Sequence, residues 1–194
     1  MISRSCAAAL MAIICSVLTG CFYDHPLTDT PSKDINTWLL GVWEHTNDKG
    51  DLDRATVLPL TGARYTVWYE SEPKSGPKKK WRFEGWISRV GSAVFLTLRC
   101  DEGPGDIPQG SYVFLHYQLL NQNRIAIRQP QLDAAPDASS YQLRTDLRRK
   151  LKEKTLFKAE PAAIWKRVSE VYWDPNSQEP QPFQPLRFPE SGLQ

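Results

Sequence analysis

The stretch KWRFEGWISRVGSAVFLTLRC, residues Lys80 to Cys100, decides the fold. Its second half alternates strictly: Val94, Leu96, Leu98 and Cys100 share one apolar face, while Phe95, Thr97 and Arg99 point the other way. A period of two is that of a β-strand. Gly91 separates the two halves and marks a tight turn, so the stretch reads as a hairpin of strands Lys80 to Val90 and Ser92 to Cys100. Working outward, runs rich in aromatic and β-branched residues predict further strands. They lie at Gly41 to Thr46, Arg54 to Leu60, Arg64 to Glu70, Tyr112 to Leu120, Arg124 to Gln129 and Ile164 to Tyr172. Asn47-Asp48-Lys49-Gly50, Leu60-Thr61-Gly62, Ser75-Gly76-Pro77 and Gly103-Pro104-Gly105-Asp106 supply the turns between them. One helix interrupts the series. Ser139 or Ser140 is placed to cap it, and Leu143, Leu147 and Leu151 recur every fourth residue to give one apolar stripe.

Alternation also sets which residues meet. A slip of one residue exchanges the two faces of a strand, so apolar sets must be paired with apolar sets. Tyr65, Val67 and Tyr69 are expected across from Gly85, Phe83 and Trp81, with the Tyr65 ring covering the bare glycine backbone. On the other side, Cys100 is expected across from Val113 and Leu96 across from Tyr117. Eight antiparallel strands are enough to close a small barrel without free edges. The expected class is therefore mainly β, an eight-stranded antiparallel barrel with one C-terminal helix before the last strand; a sandwich with a helix is the alternative.

Asp34 to Leu40 fits a short helical turn, followed at once by Gly41-Val42-Trp43. This resembles the G-x-W motif that opens the first strand of lipocalin-like barrels, and the helix before the last strand fits the same order of elements. The resemblance implies a cup-shaped barrel, with Trp43 at its closed end beneath a stacked arginine, Arg128 or Arg167. The threonine-aspartate-tyrosine motif that lipocalins often carry is missing here.

A second resemblance lies at the N-terminus. Residues 1–20 have a short head with Arg4, an uncharged apolar run from Ala7 to Leu18, then Thr19 and Gly20, which is the layout of a secretory signal peptide. The apolar run is too short for a permanent bilayer-spanning helix, which takes about 20 residues. Leu18-Thr19-Gly20-Cys21 resembles the lipobox of bacterial lipoproteins; the alternative is an ordinary secretory signal with an incidental cysteine. The lipobox implies cleavage before Cys21 and lipidation of its thiol, and two or three acyl chains hold a protein stably where one does not. Phe22 replaces the aspartate that retains known lipoproteins in the inner membrane, so the periplasmic face of the outer membrane is the expected location.

Residues 21–33 are polar and proline-punctuated and read as a tether; residues 34–173 are the barrel domain; residues 174–194 carry five prolines and read as a disordered tail, or as a ligand for an aromatic groove. The whole chain has 24 basic and 22 acidic residues, a balance that implies neither nucleic acid nor another strongly acidic partner. Of four cysteines, only Cys100 lies beyond the N-terminal segment, so no intramolecular disulfide is expected.

Candidates for chemistry are few. Cys100 and His116 are the one thiol and imidazole pair to weigh as nucleophile and base, but the expected register puts them on opposite faces and about three residues, roughly 10 Å, apart along the strands. Cys100 then reads as a small buried hydrophobe. His25, His45 and His116 lack metal-ligand spacing, and Asp48, Asp51 and Asp53 lack the terminal glutamate of a calcium loop, so no metal and no cofactor are expected. No phosphate-binding loop, dinucleotide turn or nucleophile elbow is present. Lys74, Lys78, Lys79 and Lys80 surround one hairpin tip and are candidates for contact with an anionic surface. Seven tryptophans are a heavy load for this length; most are expected in the interior, with Trp68 and Trp86 as candidates for an exterior site. These readings together predict a membrane-anchored, non-catalytic envelope protein. Its barrel holds a small apolar or amphipathic ligand or, alternatively, is filled and serves as a scaffold for an envelope partner.

Overall fold

A computed structural model describes residues 22–157 and 161–170. Its eight strands are β1 (Gly41–Thr46), β2 (Leu52–Leu60), β3 (Arg64–Glu72), β4 (Lys79–Val90), β5 (Ala93–Glu102), β6 (Tyr112–Asn121), β7 (Arg124–Arg128) and β8 (Ala163–Ser169). They close in sequence order into an antiparallel barrel, β8 pairing with both β7 and β1. A single helix, α1 (Ser140–Glu153), interrupts the strands between β7 and β8, and a 3-10 turn at Thr37–Leu39 precedes β1. Ser139 is the N-cap of α1, and Gln142 reaches back to the Ser139 backbone N–H, so two otherwise unpaired donors are satisfied at once.

Up-and-down connection gives the barrel two distinct ends. The turns around residues 61–63, 91–92 and 122–123 lie at one end with the 3-10 turn, which closes it. The connections at residues 47–51, 73–78 and 103–111, together with the long path into α1, form the other end, the mouth. Gly41 makes the passage from the closing turn into β1: its φ is 133°, and a Cβ there would come within 2.7 Å of the Ser169 carbonyl oxygen. The pairing of β3 with β4 is the expected one, Tyr65 facing Gly85, Val67 facing Phe83 and Tyr69 facing Trp81.

Between β5 and β6 the faces are as expected but the register is displaced by two residues. Leu98 faces Val113 and Leu96 faces Leu115. The cause is the connection: Gly110 N–H donates to the Cys100 carbonyl and Cys100 N–H to that of Ser111, so the ladder ends at Ser111 instead of running on to pair Cys100 with Val113. Because the displacement is even, no side chain changes sides.

Two apolar cores result. The inner one lies inside the barrel and contains Leu39, Leu40, Trp43, Val57, Tyr65, Val67, Trp81, Phe83, Ile87 and Trp165 among others. The outer one lies against the outside of β4, β5 and β6, where Val90, Phe95 and Phe114 are covered by Leu143 and Leu147 of α1 and by Tyr23 and Leu27. The last two residues correct the tether reading of residues 21–33. From Tyr23 to Asn36 the chain is a strap running down the outside of the barrel, because Phe95 and Phe114 give the outer wall an apolar surface that α1 alone does not cover. Tyr23 and Tyr112 exchange both backbone hydrogen bonds, Trp86 Nε1 donates to the Thr28 carbonyl, and Ser32 N–H donates to the carbonyl of Ile87. A chain of hydroxyls, Thr28 to Ser88 to Thr97, satisfies the polar groups buried under the strap.

Candidate functional site: the barrel lumen and its mouth

At the closed end the interior is tightly filled. Trp43 is 3% exposed, donates its indole N–H to the Leu39 carbonyl at 2.9 Å, and lies under the Arg167 guanidinium, 4.7 Å from the ring centroid. Of the two candidate arginines, Arg167 is therefore the stacked one; Arg128 sits over Phe157 on the outside. The Tyr65 hydroxyl accepts from Asn36 N–H at 2.6 Å, and burial pushes its pKa up to about 12. Outside this end, Asn121, Gln122, Asn123, Arg124, Lys166 and Arg167 line an open polar cleft.

Along β5 and β6 the interior is less closely covered. On β5 and β6 the inward Val94, Leu96, Val113, Leu115, Tyr117 and Leu119 are partly exposed, while inward Leu98 and Cys100 are buried; outward Phe95 and Phe114, under α1 and the strap, are 0% and 1% exposed. A mid-strand side chain that points into a closed barrel meets solvent only where the lumen itself has room for it. The lumen wall there is aliphatic on β5 to β7 and aromatic opposite, where Tyr69 stands 5.3 Å from Trp81 and 6.4 Å from Trp165, and His45 stacks on Trp165 at 5.5 Å. Tyr69 donates its hydroxyl to Asp53 at 2.9 Å; burial first, then the Asp53 charge, raise its pKa.

Trp81 carries the feature that the sequence did not announce. It is 5% exposed, and its indole N–H has no hydrogen-bond partner among the described residues. Gly103 lies directly against the five-membered ring, so close that a Cβ there would collide with it. The connection carrying Gly103 then folds over the mouth, placing Ile107 against the inner core, with Asp106 held by Lys79 at 2.7 Å. A buried N–H left unpaired costs about 1–3 kcal/mol, and this one is wholly covered, with Gly103 against it.

The other sequence candidates fall elsewhere. Cys100 points inward and is buried, and desolvation raises its pKa. His116 faces outward beside Phe95 and Phe157; burial first, then Arg128, lower its pKa. His116 is paired with Phe95, five residues from Cys100 and not three, which sets the two roughly 17 Å apart along the strand. Thiol reagents are accordingly expected to label Cys100 slowly in the native protein and quickly after unfolding; rapid native labelling would contradict its interior placement.

Asp51 accepts hydrogen bonds from Lys74 N–H and Asn47, which lower its pKa, and so serves the turn between β1 and β2. Among the described residues no three His, Cys, Asp or Glu side chains are grouped to hold a metal. Lys78 and Lys80 both pair with Glu70, at 2.7 and 3.3 Å, and Lys79 with Asp106, so three of the four hairpin lysines have acidic partners within the protein. Lys80 also lies over Trp68, while Trp86 is roofed by the strap and Arg64; neither tryptophan forms a bare exterior platform. The lipobox, Leu18 to Cys21, and the proline-rich stretch 174–194 lie outside the described residues. No described helix is long and apolar enough to cross a membrane. Comparison with known proteins gives no match to a family model, a curated protein or a solved structure.

Proposed function

We propose that this chain is a non-catalytic, lipid-anchored envelope protein, held at the periplasmic face of the outer membrane through Cys21, whose barrel binds a small amphipathic ligand. The observation that carries the binding reading is the partial exposure of six inward residues on β5 and β6, Val94, Leu96, Val113, Leu115, Tyr117 and Leu119. A lumen wall of aliphatic side chains on β5 to β7 facing aromatic ones suits a small apolar or amphipathic molecule. The filled-barrel scaffold is the competing reading, and it requires a lumen that takes up nothing.

Native mass spectrometry of a soluble form beginning at Phe22, before and after exposure to an envelope lipid extract, tests the binding reading. A retained mass that disappears in Leu115→Trp, which fills the lumen from β6, is the expected result; bare protein throughout would favour the scaffold. The anchor is tested separately. Cys21→Ser is expected to leave the protein unprocessed and without fatty acid, and fatty-acid labelling of that variant would reject the lipobox.

A further inference from the structure

We infer that the barrel's mouth, and not its closed end or its side, faces the membrane. The inference rests on the anchor reading above and adds to it an orientation that a flexible tether could not impose. Its basis is where the strap begins. Tyr23 N–H donates to the Tyr112 carbonyl at 3.0 Å and Tyr112 N–H returns the bond at 2.8 Å, while Asp24 N–H donates to the Pro136 carbonyl. Tyr23 also stacks on Phe114 with ring centroids 5.0 Å apart. Tyr112 is the first residue of β6 and follows directly from the 103–111 connection, so this clamp stands on the rim of the mouth.

The strap then descends. Thr28 meets Ser88 and Trp86, Ser32 meets Ile87, and Asn36 reaches Tyr65 at the closed end. The chain thus starts at the mouth and finishes at the bottom, pinned at both. Cys21 is two residues before Tyr23 and lies within about 7 Å of it whatever its conformation, since a residue spans at most about 3.6 Å. The closed end is roughly 30 Å away, the length of the ten-residue β6. Acyl chains on Cys21 therefore draw the rim of the mouth to the bilayer surface and leave the closed end in water.

The test uses the full-length acylated protein in phosphatidylethanolamine and phosphatidylglycerol vesicles, with its acyl mass verified. One fluorophore is attached either at Gly105→Cys, at the mouth, or at Ser92→Cys, at the closed end; both positions are exposed and Cys100 is buried. A nitroxide on the lipid headgroups is the quencher. The expected result is several-fold stronger quenching at residue 105 than at 92. Insertion of about twelve glycine and serine residues between Phe22 and Tyr23 is expected to remove the difference, because the anchor is then uncoupled from the clamp. Equal quenching at the two positions in acylated protein, or stronger quenching at residue 92, overturns the orientation alone. Protein without acyl mass overturns the anchor and the orientation with it.

Discussion

Trp43→Ala is expected to lower the stability of the barrel by about 3–5 kcal/mol, the range for emptying a large aromatic site in a packed core. Three features of Trp43 place it near the top of that range. The side chain is almost wholly buried in the inner core, its N–H closes the 3-10 turn by donating to Leu39, and its face supports the Arg167 guanidinium. Truncation would leave both a cavity and a Leu39 carbonyl deprived of its indole partner. Arg167→Ala is expected to cost less. It removes a cation-π contact worth about 0.5–2 kcal/mol and the hydrogen bond to the Trp38 carbonyl, but it opens no comparable void. Denaturant unfolding followed by tryptophan fluorescence measures both, and a loss under about 1 kcal/mol for Trp43→Ala would contradict its role as the floor of the barrel.

The fold was legible because each strand carries its own period and each turn its own punctuation. Gly41 to Thr46 was readable to the residue, and the β3 to β4 pairing followed from matching Tyr65, Val67 and Tyr69 to Gly85, Phe83 and Trp81. The β5 to β6 register was less legible, since parity fixes only the face and a nine-residue connection leaves even displacements open. The lumen was half legible. Alternation identified the inward residues, but whether such residues fill a barrel or line a space depends on how side chains from β5 to β8 meet across it. No local pattern encodes that distance. The unpaired N–H of Trp81 was invisible for the same reason. Lys150 carried no sequence signal at all: it is buried and paired with Asp133 at 2.6 Å, which ties the connection after β7 to α1.

Leu27→Ala is expected to cost about 2–5 kcal/mol, the range for truncating a fully buried leucine, and this is the result that separates a strap from a tether. Composition misleads here. Phe22 to Asp34 is polar and proline-punctuated, and such a segment ordinarily lacks the apolar area to offset its ordering entropy. What reverses the outcome is the surface beneath it. The outward residues Trp86, Val90, Phe95 and Phe114 form an apolar wall wider than one helix, so a few apolar side chains suffice to dock the strap, and proline keeps its unbound form restricted. Leu27 is 0% exposed, and its carbonyl accepts from Arg144 at 2.7 Å, joining the strap to α1. Thr30→Ala, at an exposed position on the same segment, is the control and is expected to change stability by less than about 0.5 kcal/mol. Equal, negligible effects of both substitutions would mean that residues 22–33 hang free in solution. The rim clamp would then lose its hold on Cys21, because a strap that does not dock at Leu27 cannot fix the direction in which the chain leaves the barrel.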